Sequence, residues 1–364
     1  MRIVMFYHSL LSDWNHGNAH FLRGVASELL ARGHDLRIYE PADSWSLSNL
    51  LRDRGVSAIA AFQDAYPQLS SVLYDPQELD LPRLLDGADL VIVHEWNEPQ
   101  LIAKIGEERA RTRSFRLLFH DTHHRAVSAR EELARFDLRH YDGVLAFGAV
   151  LRERYLAEGW AQNVFVWHEA ADTRMFKPLP PNEPRKDLVW IGNWGDGERS
   201  AELQEFLFQP ISKLSLSASV YGVRYPEEAK QQLAACGARY HGFLSNFDAP
   251  QVFARHRVTV HVPRRPYAQS LPGIPTIRVF EALACGIPLI SAPWRDSEGL
   301  FAPGEDYLVA RDGQQMTEHL RAVLGDPALA AALAARGLAT IERRHTCAHR
   351  VDELLAIYQQ LEGQ

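Results

Sequence analysis

Two charged side chains on one otherwise apolar segment point most directly to chemistry. The run Pro275-Thr276-Ile277-Arg278-Val279-Phe280-Glu281-Ala282-Leu283-Ala284-Cys285-Gly286-Ile287-Pro288 reads as a short helix, with Thr276 as its N-cap and Gly286 as its stop. Apolar residues cover most of its circumference, so the helix is buried. Arg278 and Glu281 stand three apart, on one face. Burying them costs free energy unless each meets a partner. They can satisfy one another as a structural ion pair. Alternatively, Arg278 lies in the first turn, where the helix dipole and unpaired N–H groups attract an anion. A phosphate there neutralises the arginine and the dipole together, and Glu281, one turn on, can accept from ribose hydroxyls.

Other polar clusters fall at the ends of apolar runs. Val93-His94-Glu95-Trp96-Asn97 and Phe119-His120-Asp121-Thr122-His123-His124-Arg125 bring imidazoles and carboxylates to two strand ends. Their composition suggests a metal, but neighbouring side chains in a strand end and its loop need not converge, and no HExxH spacing occurs. A structural or acceptor-binding role is the expectation, with no metal. Trp190-Ile191-Gly192-Asn193-Trp194-Gly195-Asp196-Gly197-Glu198-Arg199 reads as strand, glycine-rich turn and helix, but the GxGxxG spacing fails. Arg264 and Arg265 follow Val260-His261-Val262-Pro263 as a basic pair that faces either phosphates or solvent.

The elements that carry these residues alternate. Strands are expected at Ile3–Tyr7, Leu36–Tyr39, Leu90–His94, Leu117–His120, Val144–Phe147 and Val164–Trp167. Between the first two, Phe21, Leu22, Val25, Ala26, Leu29 and Leu30 recur at helical spacing before Gly33. The polar, proline-rich stretch Lys177–Lys186 reads as an interdomain linker. Strands resume at Leu188–Ile191, Ser219–Tyr221, Val258–Val262, Pro288–Ser291 and Tyr307–Val309, and the chain ends in helical segments at Ala328–Arg336 and Val351–Leu361. Such alternation predicts α/β domains with parallel sheets and right-handed crossovers. Residues 1–172 form the first domain, 173–186 the linker, 187–344 the second domain and 345–364 a terminal helix. Ligands of such sheets gather at the carboxyl ends of the strands.

Composition bounds the function. A length of 364 residues suits two domains, and 46% apolar with 23% charged residues is an ordinary globular mixture. The net charge is −7 with no Lys/Arg block, so nucleic acid is not the expected partner. Cys236, Cys285 and Cys347 are widely spaced, which argues against a disulfide framework or a zinc site. The opening apolar run breaks at His8, and no run of about 18 apolar residues occurs, so the cytoplasm is the expected location, with peripheral membrane contact left open.

The segment Phe280-Glu281-Ala282-Leu283-Ala284-Cys285-Gly286-Ile287-Pro288 resembles the donor-site motif of the glycosyltransferase group 1 proteins. In that motif a pair of glutamates is followed by an Ala-Met/Leu-Ala-x-Gly-x-Pro run. The variant Pro-Thr-Ile-Arg-Val-Phe-Glu, the run Glu298–Gly304 and the closing His345–Leu355 are similar to its spore-maturation CgeB-like branch. The resemblance implies the GT-B architecture: two Rossmann-like domains facing across a cleft, with the terminal helix packing back toward the first. It implies a hexosyltransferase-type enzyme that moves a sugar from a nucleotide-diphosphate-sugar to an acceptor, whether glycan, lipid, small molecule or protein. The donor is a co-substrate, and neither cofactor nor metal is expected.

Site roles carried over from the resemblance are these. Glu281 holds the ribose. Arg199 neutralises the diphosphate, with Asn193 and Trp194 in the loop before it, and Arg278, Thr276 and Arg264 join it. Tyr240-His241-Gly242-Phe243-Leu244 covers the base, through Gly242, Phe243 and Leu244. His120 and Asp121, with His94 and Glu95, face the transferred sugar as catalytic candidates, and Gly17-Asn18 forms the loop approaching donor and acceptor. One departure stands out: the first glutamate of the pair falls at Gly273, so the side chain that touches the transferred sugar is absent, which puts the sugar and the retaining outcome in question. The Gly273-Ile274 backbone offers N–H groups instead. Two rivals share the scaffold: a nucleotide-sugar epimerase, and a non-catalytic protein that binds nucleotide-sugar or glycan.

Overall fold

The computed structural model describes residues 1–180 and 184–363. The linker expected at 173–186 therefore falls partly, at Pro181-Asn182-Glu183, outside the described residues. The chain divides into two compact units: residues 1–169 with 347–364, and residues 170–346.

The first unit holds a parallel sheet of β1 (Arg2–Phe6), β2 (Asp35–Pro41), β3 (Val72–Tyr74), β4 (Leu90–His94), β5 (Arg116–Asp121), β6 (Gly143–Ala146) and β7 (Val164–Val166). Their order is β3-β2-β1-β4-β5-β6-β7. Ile3, Val4, Met5 and Phe6 are fully buried, as are Leu90 to Val93, so the central strands read as unbroken apolar runs covered on both faces. Helix α1 (Asn18–Ala31) joins β1 to β2 and buries Phe21, Leu22, Val25, Ala26 and Leu29. The terminal helix α3 (Cys347–Glu362) belongs to this unit, as expected. Arg32, just past α1, reaches Asp352 at 2.5 Å, and the buried Trp167 donates its indole N–H to the Arg350 carbonyl at 2.8 Å.

The second unit repeats the plan with β8 (Lys186–Ile191), β9 (Ala218–Tyr221), β10 (Ala238–Tyr240), β11 (His256–His261), β12 (Leu289–Ser291) and β13 (Leu308–Val309). Their order is β10-β9-β8-β11-β12-β13, again parallel in every pair. Helix α2 (Ile277–Ala284) lies between β11 and β12 and buries every residue but Arg278. Both sheets reverse direction of growth beside their first strand, β1 or β8. This is the switch point at which open α/β sheets bind ligands.

Strand β3, like β10, is one that the apolar pattern misses. It is three residues long, at a sheet edge, and Val72 and Leu73 are 56% and 45% exposed. Nothing buries them, so no core signal marks them. Among the described residues no single helix is long and apolar enough to cross a membrane.

Candidate functional site

In the second unit, cationic side chains converge where β8 and β11 end and α2 begins. Arg199 is buried. Its Nη1 donates to the Val262 carbonyl at 2.9 Å, its Nη2 donates to the Asn193 carbonyl, and its guanidinium lies 5.1 Å from the Trp190 ring centre. Burial lowers its pKa to about 10, and Arg264 and Arg278 push in the same direction. Gly195, at φ +83°, is the hinge of this packing: a Cβ there would stand 3.1 Å from Arg199 Nε and 3.3 Å from Arg264 Nε. Arg264 is partly offset by Glu198, 3.3 Å away. Like charges gathered in this way cost free energy until an anion joins them.

Arg278 and Glu281 make the ion pair that their spacing allows. The Glu281 side chain is fully buried, while Arg278 keeps 18% of its side chain exposed, so the arginine covers the carboxylate. Thr276 occupies the N-cap position without capping. Its hydroxyl instead meets His261 Nε2 at 3.0 Å, and His261 Nδ1 meets Ser291 Oγ at 2.9 Å. Burial, then the nearby Arg199 and Arg278, lowers the His261 pKa to about 3. A neutral imidazole thus ties the end of β11 to the start of α2. No motif marked this residue.

The N–H groups expected to serve a ligand at Gly273-Ile274 are engaged within the protein. Gly273 donates to the Arg295 carbonyl at 2.6 Å, and Ile274 donates to the Leu271 carbonyl at 3.3 Å. Gly273 has φ +89°, and a Cβ there would lie 2.7 Å from Glu298 Oε1. The place of the absent glutamate side chain is thus taken by another carboxylate, Glu298, brought in by the loop after β12. Sequence spacing alone gave no sign of this.

The segment expected to cover the base, around Gly242, lies where β9 and β10 end. Tyr221 and His241 stack at 4.5 Å with their planes 10° apart, and Gly222 donates to the Gly242 carbonyl at 2.8 Å. Gly242 has φ +76°, and Phe243 and Leu244 follow it, half-buried. Trp194 donates to the Val223 carbonyl at 3.1 Å, and Val223 donates to the Asn193 side chain at 2.9 Å, so the loops after β8 and β9 are one hydrogen-bonded layer.

In the first unit the register sets His94 directly beside His120. Both are fully buried. His120 Nδ1 meets the Tyr7 hydroxyl at 2.6 Å, and burial lowers its pKa to about 3. His94 Nε2 meets Asn18 Nδ2 at 2.8 Å and Thr122 Oγ1 at 3.1 Å, which ties the Gly17-Asn18 loop to this cluster. Burial, then neighbouring cations, holds His94 well below the usual imidazole range. Glu95 is fully buried; it accepts from Thr122 N at 2.8 Å and pairs with Arg125 at 2.7 Å. Asp121 accepts from the Tyr155 hydroxyl at 2.8 Å and from His123 N at 3.1 Å, while burial and the nearby Glu95 raise its pKa well above the carboxylate range. These carboxylates hold the loops after β4 and β5. Arg125 and Tyr155 complete the network and carried no sequence signal of their own. Among the described residues no group of three or more His, Cys, Asp or Glu side chains is placed to hold a metal ion.

Residues 199–356 match the family model described as glycosyl transferase-like. The match spans the cationic cluster, α2 and the first part of the terminal helix. No curated protein sequence matches the chain. Solved structures share the fold across both units. HepE from Anabaena, in complex with UDP and glucose, is 14% identical with a TM-score of 0.69, over 99% of each chain. An alpha-glucosyltransferase in complex with UDP is 12% identical with a TM-score of 0.71, over 99% of this chain and 100% of the other. Sucrose-phosphate synthase from Thermosynechococcus elongatus is 14% identical with a TM-score of 0.65, over 100% of this chain and 99% of the other. The fold is therefore of the GT-B type.

Proposed function

We propose that the protein transfers a hexose from a nucleotide-diphosphate-sugar to an acceptor, as a cytoplasmic glycosyltransferase of the CgeB-like branch. The observation that carries this is the grouping of Arg199 with Arg264 beside Gly195 and, in electrostatic range of Arg199, Arg278 at the start of α2, while Glu198 pairs with Arg264 and Glu281 with Arg278. A diphosphate supplies the missing negative charge. As the glycosidic bond breaks, charge grows on the leaving phosphate, and fixed cations favour that state over the ground state. Three arginines do the work that a divalent ion does elsewhere, so the reaction needs no metal. The leaving phosphate takes the acceptor proton, as in a retaining transfer. UDP-sugars are the first donors to test, because UDP occupies HepE and the alpha-glucosyltransferase that share this fold. The acidic chain, at −7, argues against a nucleic-acid acceptor.

Glu281 accepts from the ribose in this scheme, once Arg278 turns from it toward the phosphates. Glu281→Ala is expected to weaken donor binding by about 1.5–3 kcal/mol, the range for hydrogen bonds to a charged group. Calorimetry with UDP and UDP-glucose, on a variant shown to be folded by its melting curve, measures it. Unchanged affinity removes the ribose assignment.

Glu298 faces the transferred sugar in place of the carboxylate absent at Gly273. Glu298→Ala is expected to lower turnover about ten-fold or more while UDP affinity stays within about two-fold, because only the sugar loses a contact. A fall in UDP affinity that matches the fall in turnover would show that Glu298 supports the donor loop instead.

A further inference from the structure

We propose that an exposed indole and imidazole surface at the carboxyl edge of the first sheet binds a pyranose ring of a carbohydrate acceptor. The proposal rests on the transferase reading above and names the acceptor class that it leaves open.

Trp45 and Trp96 are the tryptophans among the large apolar side chains that stand well out of the core, at 50% and 39% exposure. The other exposed large side chains are aliphatic residues or the terminal methionine and present no ring. These two indoles share a neighbour. The His16 ring lies 6.4 Å from the Trp45 ring and 5.4 Å from the Trp96 ring, edge-on to both. His123 stands edge-on to Trp96 at 5.2 Å. The topology explains the grouping: Trp45 follows β2, His16 follows β1, Trp96 follows β4 and His123 follows β5, and these strands are successive neighbours in the sheet. All four loops leave the same edge, where the catalytic candidates His94 and His120 also sit.

The surface is prepared for a neutral, amphipathic ligand. Arg125 lies over one side of Trp96 at 4.4 Å, and its charge is met by the buried Glu95 at 2.7 Å. That pairing neutralises Arg125, so its charge is already met before an anionic acceptor arrives. Imidazoles interrupt the apolar area between the two indoles, so an acyl chain would bury polar nitrogen without compensation. A pyranose suits both features: its axial C–H face packs on an indole, and its equatorial hydroxyls reach ring nitrogens at the rim.

The test is binding without donor. Glucose, galactose, mannose, N-acetylglucosamine, maltose and cellobiose are titrated against the whole protein by tryptophan fluorescence and calorimetry, beside a short-chain alkyl maltoside and its alkyl alcohol. UDP is titrated in parallel. At least one sugar is expected to bind, with affinity falling about ten-fold in Trp96→Ala and in Trp45→Ala and largely restored in Trp96→Phe, while UDP binding is unchanged. Both tryptophans are exposed, so the variants should melt like the parent. Absence of sugar binding, binding indifferent to both substitutions, or binding that follows the alkyl chain alone overturns the proposal. Failure of the parent protein to bind UDP or any nucleotide-sugar overturns the transferase reading, which the sugar titrations do not touch.

Discussion

Arg199→Ala is expected to abolish measurable UDP binding at micromolar protein and to lower the melting temperature of the second unit. The side chain has two roles that fail together. As a strut it donates to the Val262 and Asn193 carbonyls, at the start of the loops after β11 and β8, and it packs over Trp190. Alanine leaves both carbonyls without that donor, at a cost of roughly 1–3 kcal/mol each. As a charge it remains protonated at neutral pH even though burial lowers its pKa to about 10, so it contributes one of the positive charges near Arg264 and Arg278. Removing it relieves repulsion in the empty protein and weakens attraction for a diphosphate, so affinity suffers from both ends. Arg199→Lys separates the roles. Lysine keeps the charge but cannot donate in two directions as a planar fork does, so stability falls while much of the UDP affinity survives. Melting curves and calorimetry on the two variants decide it. Normal UDP affinity in a folded Arg199→Ala protein would make the residue a strut alone.

The parts of the molecule legible in the sequence are those set by burial. β1, β4, β5 and β8 read as apolar runs because parallel strands covered on both faces must be apolar throughout, and Gly33 and Gly286 closed the helices before them with φ of +80° and +63°. The two clusters of site residues were legible for a related reason: a charge or imidazole on an apolar run needs a partner. What the sequence could not give was the identity of the partner. Thr276 looked like a cap, but its hydroxyl goes to His261, fifteen positions away. Glu298 reaches the space beside Gly273 only because the chain turns back after β12. Arg125 and Glu95 meet because β4 and β5 are neighbours, a fact of strand order rather than spacing. Trp45 and Trp96 are separated by two strands' worth of sequence, and only the sheet order brings their loops to a common edge. Contacts within a loop or helix were readable, and contacts across the sheet were not.

The buried imidazoles predict that acid destabilises the second unit. His261 and His256 are buried, and burial lowers their pKa values to about 3 and about 4. In the unfolded chain each returns to about 6.5. Below that value the unfolded state binds protons that the folded state refuses, so the stability from these residues is fully present above pH 6.5 and is lost as pH falls. At pH 5 the loss is about 2 kcal/mol for each, a large share of the stability of a typical domain. The first unit carries His8, His94 and His120, all shifted in the same direction. It also carries Glu40 and Asp121, whose raised pKa values work the other way: burial penalises their ionised forms at neutral pH, and that penalty shrinks on acidification. The two tendencies oppose each other there, so the slope is read at His261 and His256. Hydrogen exchange followed peptide by peptide from pH 7.5 to 5, corrected for the intrinsic pH dependence of exchange, should show protection in β8 and β11 falling as the pH falls. In His261→Gln the stability of the second unit should depend less steeply on pH, by about 1.4 kcal/mol per pH unit in this window, whatever its absolute value. Constant protection in β8 and β11, or an unchanged slope in His261→Gln, would mean that these imidazoles reach protons without unfolding.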